Sequence, residues 1–168
     1  VAAMMPNMPE TIAIFLAASS IGAIFSSCSP DFGVEGVIDR FGQIEPKLFF
    51  ACDGYWYAGK TLQLAEKLEA ISARLPTVAN TIIVRHIGSD EETATALANG
   101  ITLERFISDF APRELEFARL PFNHPLYILY SSGTTGIPKC IVHGAGGSLI
   151  QHVKEHRLHA DLNAGDRL

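Results

Sequence analysis

"YILYSSGTTGIPKCIVHG", residues 127–144, is the stretch on which the reading of the fold turns. It opens with an apolar, strand-forming run and closes with another, "CIVHG". Between them, Gly133 and Gly136 let the main chain take positive φ and approach a ligand closely. Ser131, Ser132, Thr134 and Thr135 add four hydroxyl donors beside the backbone N–H groups of a tight loop. Lys139 supplies a compact positive charge suited to phosphate oxygens. Pro138 biases Ile137 toward extended geometry, so the segment should leave into a strand and not a helix. Composition alone leaves two readings open here, a cradle for phosphates and a polar turn.

A rival stands upstream. "GYWYAGKT", Gly54–Thr61, fits the phosphate-loop pattern G-x-x-x-x-G-K-[ST] letter for letter. Its flanks are suitable, with strand-like "KLFFAC" before it and helix-like "TLQLAEKL" after. Its interior is not, because Tyr55, Trp56 and Tyr57 occupy the part that must curl tightly round an anion. The apolar strand ending in an acid that such loops need for Mg²⁺ is also missing: "TIIV" runs into Arg85 and His86. The plainer expectation is an aromatic cluster at the sheet edge with Lys60 at a helix start.

Outward from these loops the chain alternates. "VAAMMPN" begins inside a strand, and "PETIAIFLAASSIGA" is a helix with Pro in its first turn, apolar on nearly all sides and therefore expected to be buried. "AIFSSCS", "KLFFAC", "NTIIVRH" and "PLYILY" are strands; "GVEGVIDRFGQI" and "GSLIQHVKEHRLH" are helices. Leu64, Leu68, Ile71 and Leu75 form a helical stripe, and "GSDEETATALANG" is expected to be a polar surface loop with at most a helical turn. Continuous apolar strands alternating with helices predict an α/β fold, a layered, mostly parallel sheet covered on both faces.

The 168 residues are 48% apolar and 18% charged, enough for one domain with a real core. A net charge of −5 argues against a nucleic-acid footprint. The longest apolar stretch, Thr11 to Phe25, contains Ser19, Ser20 and Gly22 and falls short of the roughly 20 residues of a membrane span. Cys28, Cys52 and Cys140 are odd in number and scattered, which predicts a cytoplasmic, reducing setting and no disulfide framework. Because the sequence starts without Met and stops where an apolar segment should begin, it is expected to be an excerpt of a longer chain.

"YILYSSGTTGIPK" resembles the signature loop of the adenylate-forming superfamily of acyl-CoA synthetases, luciferases and peptide-synthetase adenylation domains. Tyr130, Ser132, Gly133, Thr134, Thr135, Gly136, Pro138 and Lys139 match its usual form; Ser131 keeps a hydroxyl, and Cys140 stands where glycine is usual. "CIVHGAGGSLIQHVKEHRLHADL" and "VAAMMPNMPETIAIFLAASSIGAIFSSCSPDFG" are similar to the acetoacetate-activating branch, and the likeness runs along essentially the whole chain. The resemblance implies that residues 1–168 are a fragment of an N-terminal AMP-binding domain, with the C-terminal domain absent.

It further implies ATP with Mg²⁺, coenzyme A and a short β-keto acid as the small-molecule partners, together with the remainder of the chain. Ser131, Ser132, Gly133, Thr134, Thr135, Gly136 and Lys139 would hold the ATP phosphates that leave as pyrophosphate. "GYWYAGK" falls where a relative contacts the CoA nucleotide, which implies Lys60 as a CoA contact. No catalytic residue is implied within the chain; the adenine stretch, Mg²⁺ ligands and catalytic lysine would follow Leu168, so the isolated chain is expected not to turn over. The alternatives are a synthetase for acetate or propionate, a P-loop NTPase using Gly54–Thr61, and a non-catalytic α/β module.

Four decoys remain. "HVKEH", His152–His156, fits an inverted zinc-protease pattern but lacks a suitably placed third ligand, so a polar helix face is expected. His143 is expected to be a packed strand histidine, although it could approach an acyl pocket. "DFG", Asp31–Gly33, is expected to be a turn, and Asp90–Thr93 a solvated loop.

Overall fold

Strands that are apolar on every side need cover on both faces, and the chain provides it by winding in two directions from one central strand. In the computed structural model the described residues are 1–131 and 136–167; Ser132, Gly133, Thr134, Thr135 and Leu168 lie outside them. The central strand β1 (Ala2–Met4) is fully buried and pairs in parallel with β2 (Phe25–Cys28) on one side and β3 (Leu48–Cys52) on the other. Beyond β3 come β6 (Asn80–Val84) and β7 (Gly100–Thr102), both parallel; beyond β2 come parallel β8 (Pro125–Ser131) and then antiparallel β9 (Lys139–Gly144). β4 (Gly54–Tyr57) and β5 (Lys60–Gln63) form a separate antiparallel pair.

The connection from β1 to β2 runs one way along the sheet, and the next, to β3, crosses back past β1. With right-handed crossovers this puts helix α1 (Pro9–Ser20) on one face and α2 (Val34–Phe41) on the other. α3 (Ala65–Ser72) and α4 (Asp90–Ala96) join α2's layer, where Arg74 pairs with Glu35 at 3.0 Å. α5 (Leu103–Ile107) lies on the α1 side, its Phe106 edge-on to Phe50 at 6.2 Å. In the core Phe41 and Phe49 meet edge to face at 5.8 Å, and Leu64, Leu68, Ile71 and Leu75 are buried as the stripe predicts.

Three expectations are corrected. α1 is not buried all round: Ile14 and Ala18 face the sheet while Ile12 and Leu16 are more than half exposed, because the sheet covers one side only. Residues 88–100 are not a solvated loop. α4 forms there and buries Thr93, Ala94 and Leu97, and Asp90 is buried as it accepts from Arg85 Nε at 2.7 Å. Sequence composition sees the acids; the apolar minority decides the packing. Finally, α6 (Ala145–Lys154) passes into a π-helical turn at Glu155–His159.

Candidate functional site

In α/β sheets ligands collect beyond the carboxyl ends of the strands. β8, which pairs in parallel with β2, ends at that edge. The ladder between β8 and β9 closes on the rung Ser131–Lys139 at the carboxyl edge of the sheet, and the chain passes from Pro138 straight into a strand, as Pro138 predicts. Ser131 and Lys139 are thus brought opposite each other at the base of the loop, with Lys139 exposed. Gly136 has φ 96° and open space where a side chain would begin, so backbone conformation alone calls for glycine there. The other predicted site residues, Ser132, Gly133, Thr134 and Thr135, lie outside the described residues.

Both limbs of the loop are tied down from the other half of the fold. On the incoming limb, the Ser26 hydroxyl donates to Ile128 O at 2.8 Å and meets the Tyr130 hydroxyl at 3.0 Å. Arg40 lies over the Phe32 ring at 4.1 Å and 5.7 Å from the Tyr130 ring. On the outgoing limb, Gln43 Nε2 donates to Pro138 O at 2.9 Å, and the Cys140 thiol donates to Gln43 Oε1 at 3.7 Å. Burial pushes the Tyr130 phenol and the Cys28 thiol each up to about 12. Both stay neutral at physiological pH, so neither sets a negative charge against a phosphate.

The rival stretch folds otherwise. Gly54–Tyr57 and Lys60–Gln63 pair across Ala58 and Gly59, whose φ values of 48° and 75° are those of a tight two-residue hairpin turn. The glycines that complete the pattern therefore have other reasons to be there. Gly59 supplies the turn, and at Gly54 a side chain would strike Ile87 and the Leu62 carbonyl. The P-loop reading of Gly54–Thr61 is thereby overturned: the stretch closes as a hairpin on a two-residue turn and does not curl round an anion before a helix. Lys60 does not start a helix either, since it opens β5 and α3 begins only at Ala65. Trp56 and Tyr57 are exposed, Trp56 standing edge-on to His86 at 4.7 Å.

The hairpin is seated by a residue the sequence reading passed over. Asp53, wholly buried at the end of β3, accepts four consecutive backbone N–H groups: His86 (2.8 Å), Ile87 (2.9 Å), Gly88 (2.9 Å) and Ser89 (2.7 Å). Its own backbone accepts from Leu64 N and donates to Val84 O. A carboxylate directly after an apolar strand is a visible signal for such a cap. Gln43 offers none, because its partners lie far along the chain.

Of the decoys, His143 packs on Tyr127 across the β8–β9 ladder at 5.0 Å between ring centres. His152 and His156 stack at 6.4 Å, while Glu155 accepts from Gln151 and pairs with Lys154. Asp31–Gly33 forms the turn before α2. Among the described residues no cluster of three or more His, Cys, Asp or Glu could hold a metal, the three cysteines are free, and no helix is long and apolar enough to cross a membrane.

Comparison with known proteins gives one consistent neighbourhood. The AMP-binding enzyme family matches residues 1–168. Acetoacetyl-coenzyme A synthetase of Rhizobium meliloti (strain 1021) is 60% identical over 168 residues, covering 100% of this chain and 26% of the relative. Malonamoyl-CoA synthetase vrtB of Penicillium aethiopicum is 42% identical over 173 residues, covering 100% of this chain and 24% of that protein. Among solved structures, acetoacetyl-CoA synthetase from Streptomyces lividans superposes with TM-score 0.91 at 39% identity, over 100% of this chain and 25% of that one. The chain thus spans about a quarter of the length of the proteins it matches.

Proposed function

The chain belongs to the AMP-binding enzyme family, and from that premise we propose that it is part of the large N-terminal domain of an AMP-forming acid–thiol ligase acting on acetoacetate. The observation that carries the reading is the Ser131–Lys139 rung, which sets a Gly- and hydroxyl-rich loop at the carboxyl edge of a parallel sheet in a chain 60% identical to an acetoacetyl-CoA synthetase.

The reaction has two steps. The acid's carboxylate oxygen attacks the α-phosphorus of ATP; the bond to the β-phosphate oxygen breaks, leaving acyl-adenylate and pyrophosphate. The CoA thiol then attacks the acyl carbon, its proton is lost, and AMP departs. For the first step the loop residues Ser131 to Gly136, with Lys139, donate to the β- and γ-phosphates, where negative charge builds as pyrophosphate leaves. Such assistance is positioning plus electrostatics, with no covalent role for the protein. The described residues supply no cage for Mg²⁺, which enters as the counter-ion of ATP. Lys60, exposed on the hairpin, is assigned to the CoA phosphates. Free cysteines fit a cytoplasmic setting.

A second acid is suggested by a specific relative, the malonamoyl-CoA synthetase at 42% identity, whose acid is also a short 1,3-dicarbonyl with one carbon between its carbonyls. Acid-dependent ATP–pyrophosphate exchange by the full-length enzyme decides between them. Acetoacetate is expected to exceed malonamate, acetate and propionate in kcat/KM by about tenfold or more. A preference for malonamate would move the assignment to that acid, and a preference for acetate or propionate would overturn it.

A further inference from the structure

The outgoing limb of the loop is held by one side chain from outside it. Gln43 follows α2 directly, and α2 is rigidly anchored, since Phe41 is wholly buried against Phe49. The chain continues as a helical turn there, with Gln43 N donating to Arg40 O and Ile44 N to Phe41 O. From this platform the Gln43 amide uses both its ends. Nε2 donates to Asp39 O within its own turn and to Pro138 O across to the loop, and Oε1 accepts from the Cys140 thiol. Pro138 and Cys140 flank Lys139, whose backbone forms the last rung with Ser131.

We propose that Gln43 is a positioning residue for ATP, fixing the 138–140 segment so that Lys139 is aimed at the phosphates. This rests on the reading of the loop as an ATP-phosphate cradle. The geometry separates positioning from bulk stability. Gln43 is exposed, so water can replace its hydrogen bonds and their net contribution to folding is small. A flexible exposed glutamine is nevertheless costly in entropy to hold at three partners. What that order secures is the direction of the peptide that carries Lys139. Wherever Lys139 meets phosphate, a shift of that peptide by an ångström weakens a charge-assisted hydrogen bond.

The test uses the full-length enzyme and two variants. Gln43→Leu removes both hydrogen-bonding ends at similar size, and Gln43→Glu keeps the acceptor for Cys140 but removes the donor to Pro138. In ATP–pyrophosphate exchange, both are expected to raise the KM for ATP about threefold to tenfold. The KM for the acid and for CoA should stay within about twofold, and the thermal midpoint within about 2 °C. Thr134→Ala/Thr135→Ala serves as the reference. If that double variant loses exchange while both Gln43 variants keep the wild-type KM for ATP, the inference fails and the loop reading stands. If all three behave as wild type, both fail. A parallel rise in every KM with a lowered thermal midpoint would make Gln43 a residue of the fold and refute the positioning role.

Discussion

Residues 54–61 and 131–139 both leave the carboxyl edge of the same sheet, both carry glycines and a lysine, and both turn back into an antiparallel strand. They differ in where the ladder stops. In the first, pairing runs up to Tyr57 and Lys60, with only Ala58 and Gly59 between, a turn too short to curl round a phosphate. In the second, the pairing among the described residues ends at Ser131 and Lys139, with seven residues between them in sequence and not two. A sequence pattern counts letters, whereas an anion needs N–H groups that no strand has claimed.

The comparison breaks most readily at the threonines. Thr134→Ala/Thr135→Ala in the full-length enzyme should lower acid-dependent exchange by about 10²- to 10³-fold, the usual loss when donors to developing charge are removed. Lys60→Ala with Thr61→Ala should leave exchange within about twofold. The reverse pattern would return the phosphates to residues 54–61.

Asp53→Ala comes next. It leaves four part-buried N–H groups without their carboxylate acceptor, and is expected to lower folding stability by about 3 kcal/mol, read by denaturant unfolding. A loss under about 1 kcal/mol would show that the hairpin does not depend on this cap.

Alkaline pH probes the floor of the other loop. Cys28 and Cys52 are raised by burial from 9.0 to about 12, so the fold favours their neutral thiols. That stabilisation is fully present below pH 9 and is lost as pH rises toward 12, at about 1.4 kcal/mol per pH unit for each group. Cys28→Ala should flatten the decline in unfolding free energy above pH 9; an unchanged slope would contradict the burial argument.

The smallest effect concerns Lys60, whose substitution by Ala should raise the KM for CoA about threefold to fivefold without changing that for ATP, as suits one exposed charge contact. Unchanged CoA kinetics would remove Lys60 from the site and leave the hairpin as a structural element.

Much of this was legible in advance. The alternation of apolar strands with helices specified a layered, mostly parallel sheet, and Pro138 specified that the loop returns into a strand, because its ring excludes a helical Ile137. The site was legible only in its contiguous part. Gln43 meets Pro138 and Cys140, and Ser26 meets Tyr130, through contacts 95 to 104 residues apart, which no local pattern encodes. Residues 88–100 were misjudged because their acids outnumber the few apolar side chains that seat α4.

Sequence by itself determined which segments can be strands, where glycine freedom and hydroxyl donors concentrate, and to which family the chain belongs, since each rests on side-chain chemistry and local sterics. Tertiary structure decided that residues 54–61 close as a hairpin, that Asp53 is spent on a turn, and that Gln43 reaches Pro138 and Cys140. Those outcomes depend on which strand finds which neighbour, and hydrogen bonds are allotted only when the sheet closes.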